Sequence, residues 1–394
     1  MAGPLEGYRI IDLTAFIAGP LASMILGDQG AQVIKIEPPG AGDVMRYMGT
    51  GRGGLSALFA SCNRSKRSVV LNLREARGRE LLEQLTQDAD VFMQNFRPGV
   101  VERLGIEEAH MRELNPRLIY VSISAFGHEG PYAKRPAFDH IIQAMAGIPA
   151  VQADPETGKL CFVRQAMCDK VTAYTAAQSI TAALLARERG AGGQHLRLAM
   201  LDAAIAFMWP DGMTNHMILE DDVPEQPSLT VAYRMNATAD GHVAVAPITD
   251  PQVHGLFRAA GREDLIEDPR FATVQARFSN LRALIEEVRP SLEGLSNDEL
   301  LERLSAEDVP CGPVLSLDEV PTHPQVQANE TLVETQHPQM GRLRQPRPPV
   351  RFEATPAEIR RPAPALGAHT DEVLQTLGLS SAELVDLRAK GIVG

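Results

Sequence analysis

Cysteine is scarce in this chain, with four among 394 residues, and none of Cys62, Cys161, Cys168 and Cys311 forms a CxxC pair. Dispersed thiols in a long chain fit a reducing compartment rather than a disulfide framework. The ten histidines are scattered without metal-ligand spacing, so no metal is expected. No dinucleotide-binding glycine motif, a GxGxxG run between a strand and a helix, is read in the chain, so no dinucleotide and no other permanently bound cofactor is expected. Positive charge is in deficit, with 38 Lys and Arg against 50 Asp and Glu and a net charge of −12. That balance argues against a nucleic-acid backbone or an anionic membrane as the main partner. It leaves room for an anionic small ligand held by local basic groups. No stretch approaches the ~18 apolar residues of a membrane span. The first residues lack a basic segment followed by an apolar run, so no secretory signal is expected. A cytoplasmic protein is the expectation.

What is present reads as alternating strands and helices. Strands are expected at 8–14, 33–37, 68–73, 90–96 and 118–126, with a short one in 191–200. Helices are expected in 21–30, 75–89, 138–147 and 170–189. Repeated strand–helix alternation favours a mostly parallel sheet covered by helices. A chain of this length exceeds one domain of ~100–150 residues. The large α/β domain is expected to fill 1–210, with a linker at 211–225. A smaller α+β domain is expected at 226–327. It would hold two strands joined at Asp240-Gly241, followed by helical segments. The segment RLRQPRPPVRF has a proline-rich centre and reads as an irregular linker or edge segment.

Several motifs run in order along nearly the whole chain. They are Gly7-Tyr8-Arg9-Ile10-Ile11-Asp12-Leu13, Ala18-Gly19-Pro20, the run from Leu26 to Glu37, and Gly42-Asp43. Asn63-Arg64-Ser65-Lys66-Arg67-Ser68, Asn95-Phe96-Arg97-Pro98-Gly99, Gly127-His128-Glu129-Gly130-Pro131-Tyr132 and Arg135-Pro136-Ala137-Phe138-Asp139 follow. Pro310-Cys311-Gly312-Pro313-Val314 and Leu366-Gly367-Ala368-His369-Thr370 close the set. In this order they resemble the class III coenzyme A transferase family. The resemblance implies a large Rossmann-like domain built from both chain ends, with 328–394 returning to complete it. It also implies an obligate homodimer of interlocked protomers. The substrates implied are coenzyme A, as acyl-CoA, and carboxylic acids.

The family's nucleophilic aspartate falls at Asp169, in Met167-Cys168-Asp169-Lys170. A carboxylate suits this work because it attacks a thioester to give a mixed anhydride, which CoA thiolate then converts to an aspartyl thioester. Read locally, an aspartate at a helix start is also an ordinary N-cap, kept ionised by backbone donors and the helix dipole. For CoA, the family's nucleotide-approaching segments map onto Gly19, Pro20, Arg64, Lys66, Arg67 and Arg97. Arg103 and Arg46 are further possibilities, set against a plain solvated basic face. Phe138 stands where related α-methylacyl-CoA racemases carry a proton-moving histidine; a phenylalanine cannot move a proton, and core packing is its plain reading. Phe16, Ile17 and Ala18 lie near the position of an active-site glutamine in the formyl-CoA group, and none has an amide. The stretch DGMTNHMILEDD lacks that group's run of lid glycines. The reading is therefore a CoA-transferase acting on carboxylic acids, dicarboxylates included, within one acid or between two. The alternatives are an acyl-CoA racemase or isomerase, and an acyl-CoA-binding protein without turnover.

Overall fold

The computed structural model describes residues 2–154, 157–224, 230 and 233–394. Residues up to Met208 together with Ala328–Gly394 form one compact unit, and Trp209–Gln327 a second. The boundary expected at 225 and 226 lies outside the described residues.

The large unit is organised by six parallel strands: β1 (Arg9–Asp12), β2 (Gln32–Glu37), β3 (Lys66–Val70), β4 (Val91–Gln94), β5 (Ile119–Ser124) and β6 (Gln194–Ala199). Their order is β3-β2-β1-β4-β5-β6. In β1, Ile10 pairs with Val33 on one side and Val91 on the other. The strands are short apolar runs because helices cover both faces. The order reverses between β1 and β4, which opens a crevice at the carboxyl ends of those strands. Three helices reach the region above it: α1 (Ala18–Asp28), α2 (Asp139–Met145) and α3 (Met167–Ala186).

One face of the sheet buries Ile11, Ile34 and Phe92 against Leu81, Leu82 and Leu85 of the helix Ala76–Gln87. The same core takes Val373, Leu374, Leu384, Leu387 and Val393 from the other end of the chain. Leu71 bridges Val393, and the Asn72 amide donates to the Ile392 carbonyl at 2.8 Å. The segment read as an irregular linker or edge segment is both: its first half lies in a two-stranded hairpin, with Gly341–Pro346 antiparallel to Leu332–His337, and 347–352 carry no strand. Its charged residues alternate on the solvated face, where Arg342 and Arg344 share Glu334. That one-sided exposure gives the run its loop-like composition. The small unit carries a three-stranded antiparallel sheet of Cys311–Pro313, His242–Val245 and Met235–Ala237. Its core is Val243, Phe257, Phe271, Val288, Leu300 and Leu304.

A buried ionic lattice sets the loop that follows β1. Asp12 accepts from the Thr14 amide at 2.9 Å, the Thr14 hydroxyl at 2.5 Å, Ser23 at 2.6 Å and Lys66 at 3.0 Å. Burial alone would raise the Asp12 carboxyl; Lys66 and Lys35, with the two hydroxyls, overturn that and hold it far below the usual carboxylate range. Lys35 Nζ donates to the Thr14 carbonyl at 2.7 Å and pairs with Asp43 at 3.0 Å. The Asn95 side chain brackets Ala15, accepting from its amide at 2.9 Å and donating to its carbonyl at 2.8 Å. These anchors hold Phe16 at φ +66°, a left-handed conformation that costs a non-glycine residue roughly 1–2 kcal/mol. Gly19 is required where α1 meets this loop, because a Cβ there would lie 2.3 Å from that of Thr14.

Lys66 places all three ammonium donors internally, on Asp12, the Pro20 carbonyl and Asn63. Lys66→Met is therefore expected to lower the unfolding free energy by about 3–5 kcal/mol, because it leaves Asp12 buried without its cation. Denaturant titration checks this. A variant as stable as the parent but weakened in CoA binding would return Lys66 to ligand contact.

Candidate functional site

α3 begins three residues earlier than its apolar pattern suggests, at Met167, with Ala166 in the capping position and no side-chain cap of its own. Asp169 is thus the third helical residue and not the N-cap. The cap comes from outside: Asp139, first residue of α2, accepts the Asp169 amide at 2.9 Å. Asp139 also accepts from Gln143 at 2.6 Å, and Gln143 in turn donates to the Val163 and Gln165 carbonyls at 3.0 Å each. The segment before α3 is tied to α2 in this way.

The Asp169 carboxylate itself is half-buried and accepts a hydrogen bond from the Ala18 amide, the first residue of α1. α1 starts at Ala18, three residues before the helix expected at 21–30. The amide left without an intrahelical partner at this end is therefore the one that meets the aspartate. Two helix starts converge on one carboxylate, an arrangement that favours negative charge. Burial works against it, with the neighbouring Asp139 charge second, and together they outweigh the Ala18 hydrogen bond. The Asp169 pKa is raised to about 6. At neutral pH the group is still mainly ionised, and it is a more basic nucleophile than a free carboxylate.

Cys168, beside it, is fully buried, and burial, Asp139 and Asp169 push its thiol up to about 12. It has no thiolate character. Phe138 is not core: its ring is 53% exposed and lies against Phe16, with centroids 5.2 Å apart at 60°. His140 is exposed on α2. His128 is exposed in the turn after β5, its ring 6.5 Å from that of His195.

The basic residues separate into two groups. Arg64 and Arg46 turn inward, as Lys66 does. Arg64 pairs with Asp28 at 2.9 Å and donates to the Pro346 carbonyl at 2.7 Å. Arg46 grips Glu37 at 2.6 and 2.8 Å and donates to the Pro364 carbonyl at 2.9 Å. Direct ligand contact by Lys66 is corrected by its enclosure, and the Arg64 and Arg46 guanidiniums serve internal carboxylates. Arg67 is half-buried against Glu372 at 3.1 Å. Arg97 and Arg103 are exposed, flanking Gly99 just after β4, beside the crevice. Gly19 and Pro20 are buried inside the first turn of α1, where they fix its approach. Sequence reasoning passed over Asn95, and offered Asp139 as a structural cap without the helix that it caps. An asparagine directly after a strand, and an aspartate opening a short helix, carry no local sign of what they bond across the fold.

A groove of about 710 Å³ lies farther along α1 and α3, lined by Met24, Arg64, Tyr174, Gln345, Pro346 and Phe352 among others. Asp169 is not in its wall. Among the described residues no group of three or more His, Cys, Asp or Glu is placed to hold a metal ion. No helix among them is long and apolar enough to cross a membrane.

Known proteins share this architecture and much of the sequence. The model of CoA-transferase family III matches residues 5–370. A human succinyl-CoA:glutarate CoA-transferase is 30% identical, over 99% of this chain and 90% of its own. A formyl-CoA:oxalate CoA-transferase of Escherichia coli O157:H7 is 31% identical, over 98% and 99%. The crystal structure of a CAIB/BAIF family protein from Brucella suis superposes with a TM-score of 0.82 at 31% identity, covering 96% of this chain and all of that one. With a family model spanning all but the chain's two ends and relatives alike along their full length, this chain belongs to CoA-transferase family III.

Proposed function

We propose that the chain transfers coenzyme A between carboxylic acids, with Asp169 as the covalent nucleophile. The observation that carries this is a half-buried carboxylate with a raised pKa, aimed at by the first amide of α1. Asp169 attacks the thioester carbonyl of the donor, the C–S bond breaks, and CoA thiolate leaves a mixed anhydride. The thiolate then attacks the aspartyl carbonyl and expels the first acid as its carboxylate. The second acid attacks the resulting aspartyl thioester, thiolate leaves again, and a new mixed anhydride forms. Thiolate finally attacks the acyl carbonyl of the second acid, and the Asp169 carboxylate departs unchanged. No proton is gained or lost in the cycle, so no general base is required.

The Ala18 amide already donates to the Asp169 carboxyl, and it supports the oxyanion that forms on that carbon in the second and third steps. Arg97 and Arg103, exposed beside the crevice, are the side chains we assign to the CoA phosphates. Arg67, Gly19 and Pro20 stay in that assignment as the frame of the site. A proton carrier of the kind a racemase needs is replaced by the Phe138 ring, which favours transfer over α-carbon chemistry. The names of the relatives put dicarboxylates among the first acids to test, within one molecule or between two. The protomer is proposed to work as an interlocked homodimer. Tyr174 and Leu185 on α3, 57% and 52% exposed, are the kind of apolar surface such a dimer covers.

Asp169→Asn is expected to abolish transfer while keeping the fold, and hydroxylamine is expected to trap a hydroxamate at Asp169 in the parent only. The stability change separates this role from capping. A carboxyl whose pKa rises from 3.8 to about 6 on folding gives stability that is complete below pH ~4 and is lost as pH passes ~6. Asp169→Asn should therefore be more stable than the parent at pH 7, by up to about 2 kcal/mol, and equal to it near pH 4. A cap would instead change little, because asparagine caps about as well as aspartate. In kinetics, kcat/KM should fall about tenfold per unit below pH ~6 and level off above ~7. Asp139→Ala should move that midpoint to lower pH, since it removes a neighbouring negative charge. In sedimentation at falling concentration, the protein should remain dimeric; a stable folded monomer would exclude the interlocked assembly.

A further inference from the structure

Two segments of the large unit reach Asp169, and each carries a phenylalanine. The loop after β1 reaches the carboxylate through the Ala18 amide, and Phe16 stands two residues before it. The start of α2 reaches the Asp169 amide through Asp139 at 2.9 Å, and Phe138 directly precedes it. The two rings touch, with centroids 5.2 Å apart. They are therefore tethered to the nucleophile from both sides and to each other.

Neither ring is fully buried in the core. Phe138 is 53% exposed. Phe16 sits only partly buried on the edge of the Met45, Leu55 and Phe59 cluster, in a left-handed conformation that glycine would adopt without strain. A strained backbone carrying a large half-exposed ring beside a reactive group is the signature of a functional constraint. The rings leave apolar surface that a bound acyl chain would cover. The neighbouring charge that bears on Asp169 here is that of Asp139. A second carboxylate on the substrate would meet two aromatic rings and two carboxylates.

We infer that Phe16 and Phe138 form the wall of the acyl subsite and select an acid whose chain next to the transferred carboxyl is apolar, an alkyl or aryl monocarboxylate, over a short dicarboxylate. This rests on Asp169 as the nucleophile and narrows the substrate class for that site.

The test uses the full-length protein, one acyl-CoA donor, and butyrate, benzoate, succinate and glutarate as competing acceptors, read by mass spectrometry of the CoA products. The parent is expected to favour the monocarboxylates by about tenfold or more in kcat/KM. Phe138→Ala and Phe16→Gly are each expected to cut that ratio at least about fivefold, and Phe138→Leu to retain it, because an apolar wall remains. Phe16→Gly relieves the left-handed strain, so its loss of selectivity is not a loss of fold. Preference of the parent for the dicarboxylates overturns the inference, as does an unchanged ratio in both variants with turnover intact. Absence of transfer to any acid, with no trappable adduct at Asp169, overturns the nucleophile assignment and the subsite with it.

Discussion

Lys66 and Asp12, both cut off from water, meet at 3.0 Å beneath the loop that follows the first strand. Everything at the candidate site is referred to that contact. Two ions in a low-dielectric interior are tolerated only when their remaining valences are satisfied. Here Ser23, Thr14, Asn63 and the Pro20 carbonyl satisfy them. Three of these groups belong to the loop after β1 or to the first turns of α1. Satisfying the ions therefore fixes the loop, and Lys35 and Asn95 complete the clamp from β2 and from the end of β4. The backbone can then hold Phe16 left-handed and bring the Ala18 amide to Asp169. The charges are remote from the chemistry, yet they set the direction of the donor that serves it.

Asp169 shows how two opposing electrostatic effects leave a usable residue. Helix starts attract a carboxylate; burial and a neighbouring carboxylate repel its charge. The repulsion prevails by enough to bring the pKa to about 6, and not by enough to protonate the group at neutral pH. A nucleophile that must also leave at the end of each cycle is well served by that balance. A much stronger base would be retained in the anhydride, and a weaker one would be slow to attack the thioester.

The parallel sheet was legible because its strands are short apolar runs between helices with clear periodicity. The register from Ile11 to Tyr120 follows from burial on both faces. Asp169 was legible only through the family's ordered motifs, since its local setting also suits a cap, and the structure moves the capping role to Asp139. The basic residues were the least legible. Arg64, Lys66 and Arg97 look alike in sequence, but the first two point into the fold because Asp28 and Asp12 lie across from them, and Arg97 does not. Which cation faces water depends on carboxylates tens of residues away. The Gly341–Pro346 strand was obscured by its arginines, which lie on the solvated side of a hairpin.

The core beneath the central sheet is shared by residues from both ends of the chain. Leu81, Phe92 and Tyr120 emerge from the ribosome long before Val373, Leu384 and Val393, which cover them. Until the last twenty or so residues are made, the nascent sheet carries an uncovered apolar face. Contacts of such long sequence separation also close slowly. The intervening Trp209–Gln327 unit has a core of its own and can fold while the first unit waits. Synthesis of this protein thus passes through a stage in which its middle is finished and its beginning is still sticky. At that stage the chain is most exposed to aggregation and most in need of a chaperone.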